Sequence, residues 1–527
     1  MKKRFNVTGT CIPERHYMVD ISNKLDSILK LVNNEEYFII NRPRQYGKTT
    51  TLYMLERYLN KFKDYLVISI SFEGIGDLIF QDEKVFSKEF LQIMSDSLLL
   101  NSQALSECLE EQKPHVENFI DLSRVITKFI VKAKRKVVLM IDEVDKSSNN
   151  QLFLSFLGLL RNKYLLRNVG KDYTFHNVIL AGVHDVKSLK LKIRPDEEHK
   201  YNSPWNIASD FDVDMSFSID EIKTMLDDYV ENKEVNLDKE YFAEKIYFYT
   251  SGYPFLVSKL CKIVDEKIMV KDELKWEKEY LQIAVKELLK ESNTNFDSLI
   301  KNIENNKDLQ ELVRKIILDG YEITYNEDNP LITMGVTYGI FKNSHGKVKI
   351  HNRIYEQRIY NYMISLIETK INLGFYTERE RYLKPNGDLD IKKVLKKFQE
   401  FMKHEYSQKR EGFLEEDGRL VFLAFLSPII NGAGFAFKEV QGGEEKRFDI
   451  VITYNKKMYI LELKIWRGEE YHKKGLKQLV EYLNQYRLEE GYLLIFDFRK
   501  ATNLIGQVEE THINAEDNIK KIIGVYC

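Results

Sequence analysis

Two segments constrain the fold more than anything else in this chain. One is a short apolar stretch, residues 36–40, followed by Asn41-Arg-Pro-Arg-Gln-Tyr-Gly-Lys-Thr-Thr50 and a helical pattern over Thr51 to Phe62. The other is Lys136-Val-Val-Leu-Met-Ile141, ending in Asp142-Glu143. A continuously apolar run of this kind reads as a strand covered on both faces of a parallel sheet. Strand, loop, Gly47-Lys48-Thr49 and helix is the context in which loop N–H groups and a helix N-terminus cradle phosphates. Arg42, Pro43, Arg44, Gln45, Tyr46, Gly47, Lys48, Thr49 and Thr50 are therefore expected to line a nucleotide.

Each residue type suits its task. Lys48 can reach the β- and γ-phosphates of ATP, and Thr49 can ligate Mg²⁺. Asp142 can hold the same ion through water, while Glu143 can polarise the attacking water. Arg42 stands where the first glycine of G-x-x-x-x-G-K-T is expected. A Gly-Lys pair that merely opens a helix, and carboxylates that merely cap one, are the plainer alternatives. The two motifs occurring in this order weigh against both.

Downstream, Asn177 to Gly182 reads as another strand, ending in Val183-His184-Asp185. Either His184 or Asp185 could sense the γ-phosphate, or simply cap the loop. Arg161, Arg167 and Arg194 are candidate arginine fingers, among which the sequence does not choose. Helices follow between Ile219 and Val270, and Thr250-Ser-Gly-Tyr-Pro-Phe255 places Pro254 in a first helical turn. From Asn295 to Ile364, helices precede a hairpin over Gly335 to Ile350 that turns at Ser344-His-Gly346, compatible with a small winged helix.

Near the C-terminus, Phe448 to Tyr454 and Met458 to Ile465 alternate around a two-residue turn, Asn455-Lys456. In that register paired positions sum to 911, so Asp449 faces Glu462 and Lys464 shares its face. Ile450, Ile452, Leu461, Leu463 and Ile465 fall on the other face. Two opposed carboxylates, roughly 5 Å apart at Cβ, repel unless a cation lies between them. Oxygen ligands suit Mg²⁺ or Mn²⁺, and a lysine beside them can neutralise a developing charge on phosphorus. A solvated sheet face with Lys464 as counter-ion is the alternative. A helix from Gly475 to Tyr486 follows, with Gln478 and Tyr482 on one face, then a strand over Gly491 to Phe496. An apolar helix near Leu420 to Ile430, preceded by Glu415 and Glu416, and a strand near Phe435 to Val440 come before.

The order α-β-β-β-α-β, with Asp449, Glu462-x-Lys464 and Gln478-x-x-x-Tyr482, resembles the PD-(D/E)XK nuclease superfamily and its RecB-like branch. The resemblance implies metal ligation by Asp449 and Glu462, a catalytic Lys464, and Gln478 and Tyr482 lining the site or contacting DNA. It also implies a helical glutamate in the metal shell, for which Glu416 is chosen. Residues 217–292 resemble the helical lid of AAA+ or STAND ATPases, in which a Gly-x-Pro approaches the nucleotide and Pro254 would play that part. The whole chain resembles bacterial AAA-ATPase-like proteins that end in a PD-(D/E)XK domain, whose N-terminal blocks also lack the first glycine.

The fold class expected is α/β. It comprises a P-loop ATPase core over 1–216, a helical lid over 217–292, a winged-helix-like segment over 293–368, a linker over 369–392 containing Pro385-Asn-Gly387, and a restriction-endonuclease-like domain over 393–527. A length of 527 residues requires several cores. Net charge is −2, so nucleic-acid binding would rest on local patches such as Lys132-Ala-Lys-Arg-Lys136, Lys187 to Arg194, or His472-Lys-Lys474. Each of these also reads as a solvated helix end or loop. Four scattered cysteines and no long apolar run or leader point to a reduced, cytoplasmic protein that does not enter a membrane. Two functions from different classes follow. One is an ATP-regulated, Mg²⁺- or Mn²⁺-dependent nuclease acting on nucleic acid, with DNA favoured, in defence or mobile-element biology. The other is a STAND-like ATPase switch whose nuclease-fold domain only binds nucleic acid or protein. Homo-oligomerisation through the ATPase domain is compatible with either.

Overall fold

The computed structural model describes residues 3–147, 151–183, 205–269, 274–319, 321–368, 379–405, 415–430, 434–437, 450–454, 457–466, 468–497, 507–515 and 518–527. The chain forms two compact units, one of residues 1–309 with 323–355, the other of 310–322 with 356–527.

The first unit is built on four parallel strands, β1 (Phe38–Asn41), β2 (Tyr65–Ser71), β3 (Lys136–Asp142) and β4 (Asn177–Gly182), in the order β1-β4-β3-β2. A single parallel bridge, Phe38 to Ser209, continues the sheet beyond β1. From Val137 to Asp142 every residue of β3 is buried, as its unbroken apolar run requires. Helices Glu83–Leu98, Phe119–Ala133 and Gln151–Asn168 cover one face, packing on Ile68, Leu139 and Leu180. All four strands run from one edge to another, so Asn41, Asp142 and Gly182 end together at the edge where such sheets bind ligands.

The helices expected between Ile219 and Val270 are Ile219–Lys233, Lys239–Thr250 and Pro254–Ile263. Ser218 and Glu221 close the first of them with a reciprocal capping box. The expected hairpin is β5 (Phe341–Ser344) paired with β6 (Lys347–Ile350), turning at His345 and Gly346 in left-handed conformations. Its first strand starts later than the alternation suggested. Gly335 lies within the helix Pro330–Thr337, so close to the Phe341 ring that a Cβ there would come within 2.1 Å of it.

The second unit carries a six-stranded mixed sheet in the order β11-β12-β10-β9-β8-β7. The helix Glu415–Ile430 leads into β7 (Gly434–Phe437), β8 (Ile450–Tyr454) and β9 (Lys457–Ile465), an antiparallel meander. The helix Glu469–Gln485 then crosses over to β10 (Glu490–Phe496), parallel to β9. These elements follow the order read from the sequence. Two more strands, β11 (Val508–Ala515) and β12 (Asn518–Tyr526), extend the sheet beyond β10. Part of the stretch read as a linker is folded within this unit. Leu383 bridges Leu389 around Pro385-Asn386-Gly387, and Lys457 Nζ lies 2.6 Å from Asp388 Oδ2. No helix among the described residues is long and apolar enough to cross a membrane.

Candidate functional site

The loop after β1 bends through two left-handed residues, Gln45 and Gly47, and Gly47 caps the helix Lys48–Leu59. Alternating backbone handedness of this kind turns successive N–H groups into an anion-binding concavity. Lys48 is buried, and its Nζ donates to the carbonyls of Arg42 (2.9 Å) and Pro43 (3.0 Å), so the ammonium is held inside the loop. Burial pushes the Lys48 ammonium down, opposed by the charges of Asp145, Glu143 and Asp142.

Thr49 Oγ1 donates to Asp142 Oδ2 at 2.6 Å. The helix start and the end of β3 thus bring two hard oxygens together, a donor set that fits Mg²⁺. Asp142 Oδ1 accepts the backbone N–H of Glu143 (2.9 Å), which is held at φ +57°. A left-handed glutamate is uncommon, and residues held this way concentrate at functional sites. Burial, then the neighbouring charge of Asp142, raises the Glu143 carboxyl above its ordinary value. Asp145, which belongs to neither motif, accepts the backbone N–H of Val183 at the end of β4 (2.5 Å).

The departure at Arg42 has a structural reason. Arg42 is not left-handed, so no glycine is needed there. Its guanidinium lies 5.2 Å from the Phe211 ring centroid and donates to the carbonyls of Phe211 (3.1 Å) and Val213 (2.8 Å). The other loop residues are gripped from further along the chain. Tyr253 donates its hydroxyl to the Arg44 carbonyl (2.5 Å), and Gln45 Nε2 donates to Thr294 Oγ1 (3.3 Å). Tyr46 shares hydrogen bonds with Ser216 Oγ (2.6 Å) and His351 Nε2 (2.9 Å). Pro43 packs on Gly339, where a Cβ would come within 2.9 Å. Pro254 lies against Gly47, its Cγ 4.0 Å from where a Cβ would stand. Gly252 makes this approach feasible at φ +73°, because a Cβ there would meet the Phe217 carbonyl at 2.0 Å. Thr50 Oγ1 accepts the backbone N–H of Cys11 (3.1 Å), tying in the N-terminal segment. Tyr253, Ser216, Gly339 and His351 carry no local motif. Only Tyr253, adjacent to Pro254, had a signal that pointed to it.

His184, Asp185 and Arg194 lie outside the described residues. Arg167 donates to the carbonyls of Phe175, His176 and Glu35. It is therefore at the opposite edge of the sheet from Lys48 and cannot reach the phosphates bound by its own chain.

In the second unit β8 and β9 pair in the expected register, Ile450 with Leu461 and Tyr454 with Lys457. The face bearing Glu462 and Lys464 is not solvated. It packs beneath the helix Glu469–Gln485, whose Leu479 and Leu483 cluster with Val451, Ile460, Leu493 and Ile495. Glu462 is 1% exposed, and Lys464 Nζ lies 2.8 Å from its Oε1. The Lys464 stem passes over Gly475, where an added Cβ would stand 3.4 Å from its Cγ. Gln478 Nε2 donates to the hydroxyl of Tyr482 (2.8 Å), whose ring is buried in the same apolar cluster. Asp449 lies outside the described residues, as does the side chain of Glu416, which sits in the first turn of its helix. Among the described residues no three His, Cys, Asp or Glu side chains converge as a metal site.

A family model described as an AAA-like domain matches residues 22–361. Among solved structures, the Walker-type ATPase PABY2304 of Pyrococcus abyssi is similar at 12% identity and a TM-score of 0.44, covering 67% of this chain and 99% of its own. The ORC2 protein of Aeropyrum pernix is similar at 10% identity and a TM-score of 0.39, covering 69% and 96%. The RuvB Holliday junction branch migration motor of Thermotoga maritima is similar at 13% and 0.32, covering 64% and 94%. No curated protein matches.

Proposed function

The chain belongs to the AAA-like domain family and is a P-loop ATPase, and from this premise we propose that its nucleotide state controls a metal-dependent nuclease in the second unit. In the first unit, Mg²⁺-ATP supplies the phosphoanhydride and the cation that neutralises it. Lys48 exchanges the Arg42 and Pro43 carbonyls for phosphate oxygens. Thr49 and Asp142 would hold the ion, and Glu143 would take a proton from the water whose oxygen bonds to the γ-phosphorus as the bond to the departing ADP oxygen breaks. The grip of Ser216, Tyr253 and His351 on the loop carries its state into the lid and hairpin.

In the second unit, Asp449 and Glu462 would hold Mg²⁺ or Mn²⁺, with Glu416 completing the shell. The metal would supply an activated water, and Lys464 would neutralise charge on the phosphorus as one P–O ester bond breaks. Glu462 offers the hard oxygen such an ion requires. Tyr482, buried, would orient Gln478 toward the substrate. The burial of Glu462 against Lys464, beneath the helix that joins two parallel strands, is the observation that carries this reading. A solvated counter-ion pair would need neither the burial nor the helix.

The test is cleavage of single- and double-stranded DNA and RNA with Mg²⁺ or Mn²⁺, with and without ATP, by the native chain and its Asp449→Ala, Lys464→Ala and Lys48→Ala variants. Loss of cutting in the first two, and loss of its ATP dependence in the third, is expected. If the native chain cuts nothing under any nucleotide, the ATPase is a switch whose second unit only binds.

A further inference from the structure

The basic run Lys132-Ala-Lys-Arg-Lys136 closes the helix Phe119–Ala133 and opens β3. Cations are favoured at a helix C-terminus by the dipole alone. That does not account for what lies beside them. Lys134, Arg135 and Lys136 line a cavity of about 550 Å³, together with Glu35, Tyr173 and His176. The volume falls within the range of small-molecule sites. Lys134 is fixed in a left-handed conformation, φ +50°, which sets the direction of the run at the cavity edge. Among the described residues none of the three cations forms an ion pair within 4.0 Å.

The cavity wall also holds His176, 8% exposed, whose Nδ1 lies 3.9 Å from Glu35 Oε1. Burial holds this imidazole down at about 4, Glu35 opposing and Lys136 adding to the effect. Tyr173 is 63% exposed and presents an aromatic face. The carboxylates of Glu35 and Asp64 add acceptors to a lining that also carries four cations, Lys134, Arg135, Lys136 and Arg167.

We propose that this cavity binds a phosphomonoester of mononucleotide size, at a site separate from the P-loop. The cations take the phosphoryl group, Glu35 accepts from hydroxyl or amino groups, and Tyr173 offers a stacking surface for a planar base. An extended nucleic-acid backbone fits less well, since the carboxylates of Glu35 and Asp64 in the cavity wall disfavour a run of phosphates. The site is remote from the ATPase centre. Strand β3 has Lys136 at this cavity and Asp142 at the P-loop, roughly 20 Å apart at the usual rise of an extended chain.

The experiment uses the full chain carrying Lys48→Ala, which disables the P-loop. Binding of AMP, ribose 5-phosphate and a short single-stranded oligodeoxynucleotide is measured by calorimetry, with hydrogen exchange to locate the contact. AMP should bind and protect residues 130–137 and 173–176. Adding Lys134→Glu and Arg135→Glu should weaken AMP and ribose 5-phosphate at least tenfold without altering the melting temperature. Tyr173→Ala should weaken AMP and spare ribose 5-phosphate. The proposal is overturned if AMP does not bind, if it protects other segments, or if the double substitution leaves its affinity unchanged. Oligonucleotide binding that is tighter than AMP and lost with the same substitutions would overturn it in favour of a nucleic-acid surface.

Discussion

The hydroxyl of Tyr46 lies 2.9 Å from Nε2 of His351, joining the phosphate loop to the residue that follows β6. Both side chains are buried, and the same hydroxyl meets Ser216 at 2.6 Å. Tyr46→Phe keeps the ring and strips its partners of a buried bond. Denaturant unfolding should show a loss of about 1–3 kcal/mol. ATP affinity should fall as well, because the loop loses one of its fixed points. A Tyr46→Phe chain that binds ATP as native does would remove this bond from the nucleotide site.

The same histidine sets a pH dependence. Burial lowers His351 from 6.5 to about 3, so the folded chain holds it neutral while the unfolded chain protonates it near its ordinary value. The unfolded state then binds more protons throughout that window, and stability falls as pH falls from the upper value toward the lower. Each unit of pH costs up to about 1.4 kcal/mol for one such group. His176, held at about 4, adds a loss of the same sign. Unfolding free energy measured from neutral pH down to about 5 should therefore decline, and His351→Gln should flatten the decline in part.

Gly339 tests the grip from the other side. It sits at φ +71°, with Pro43 Cβ and Cγ each 2.9 Å from the position of an added Cβ. Gly346 has a similar backbone, φ +76°, and open space around it. Gly346→Ala should cost about 1 kcal/mol from backbone strain alone. Gly339→Ala carries the same strain and also pushes on the phosphate loop, so it should cost more and weaken ATP binding. Equal effects of the two substitutions on ATP binding would mean that the Pro43 contact does not position the loop.

What was legible in the sequence is what local pattern encodes. The unbroken apolar run of β3 announced a strand buried on both faces, and the turn between β8 and β9 set a register that pairs Ile450 with Leu461. Pro254 was legible as a helix start, but its approach to Gly47 was one of two readings. The partners of the phosphate loop were not legible. Tyr46 meets His351 across 305 residues, and such a pairing leaves no period or spacing to read. Alternation along β9 put Glu462 and Lys464 on one face and left open whether that face was a metal site or a solvated surface. The helix Glu469–Gln485 covers that face, a tertiary fact that made Glu462 buried and not exposed.

Glu143→Gln separates binding from hydrolysis. The amide preserves the shape of a residue held at φ +57° but cannot take a proton from water. Nucleotide affinity should be retained while turnover falls by about 10²- to 10⁴-fold. Because burial raises this carboxyl, the acid limb of the native rate profile should lie above the range of an exposed glutamate. Undiminished turnover by Glu143→Gln would reassign the base.

Lys464→Met distinguishes a metal site from a simple ion pair in the second unit. Methionine preserves the stem that crosses Gly475 and removes the charge 2.8 Å from Glu462 Oε1. Deleting one member of a buried pair typically costs about 3–5 kcal/mol, since the remaining charge loses compensation. If Glu462 is part of a cation site with Asp449, Mn²⁺ can supply the missing positive charge. The variant should then gain more thermal stability from Mn²⁺ than the native chain does, and Asp449→Ala should abolish that gain. An ion pair that only joins neighbouring residues of one strand predicts something else: Lys464→Met would be destabilised equally with and without Mn²⁺. This comparison reads the site through its charge balance, so it holds whether or not a substrate for cleavage is known.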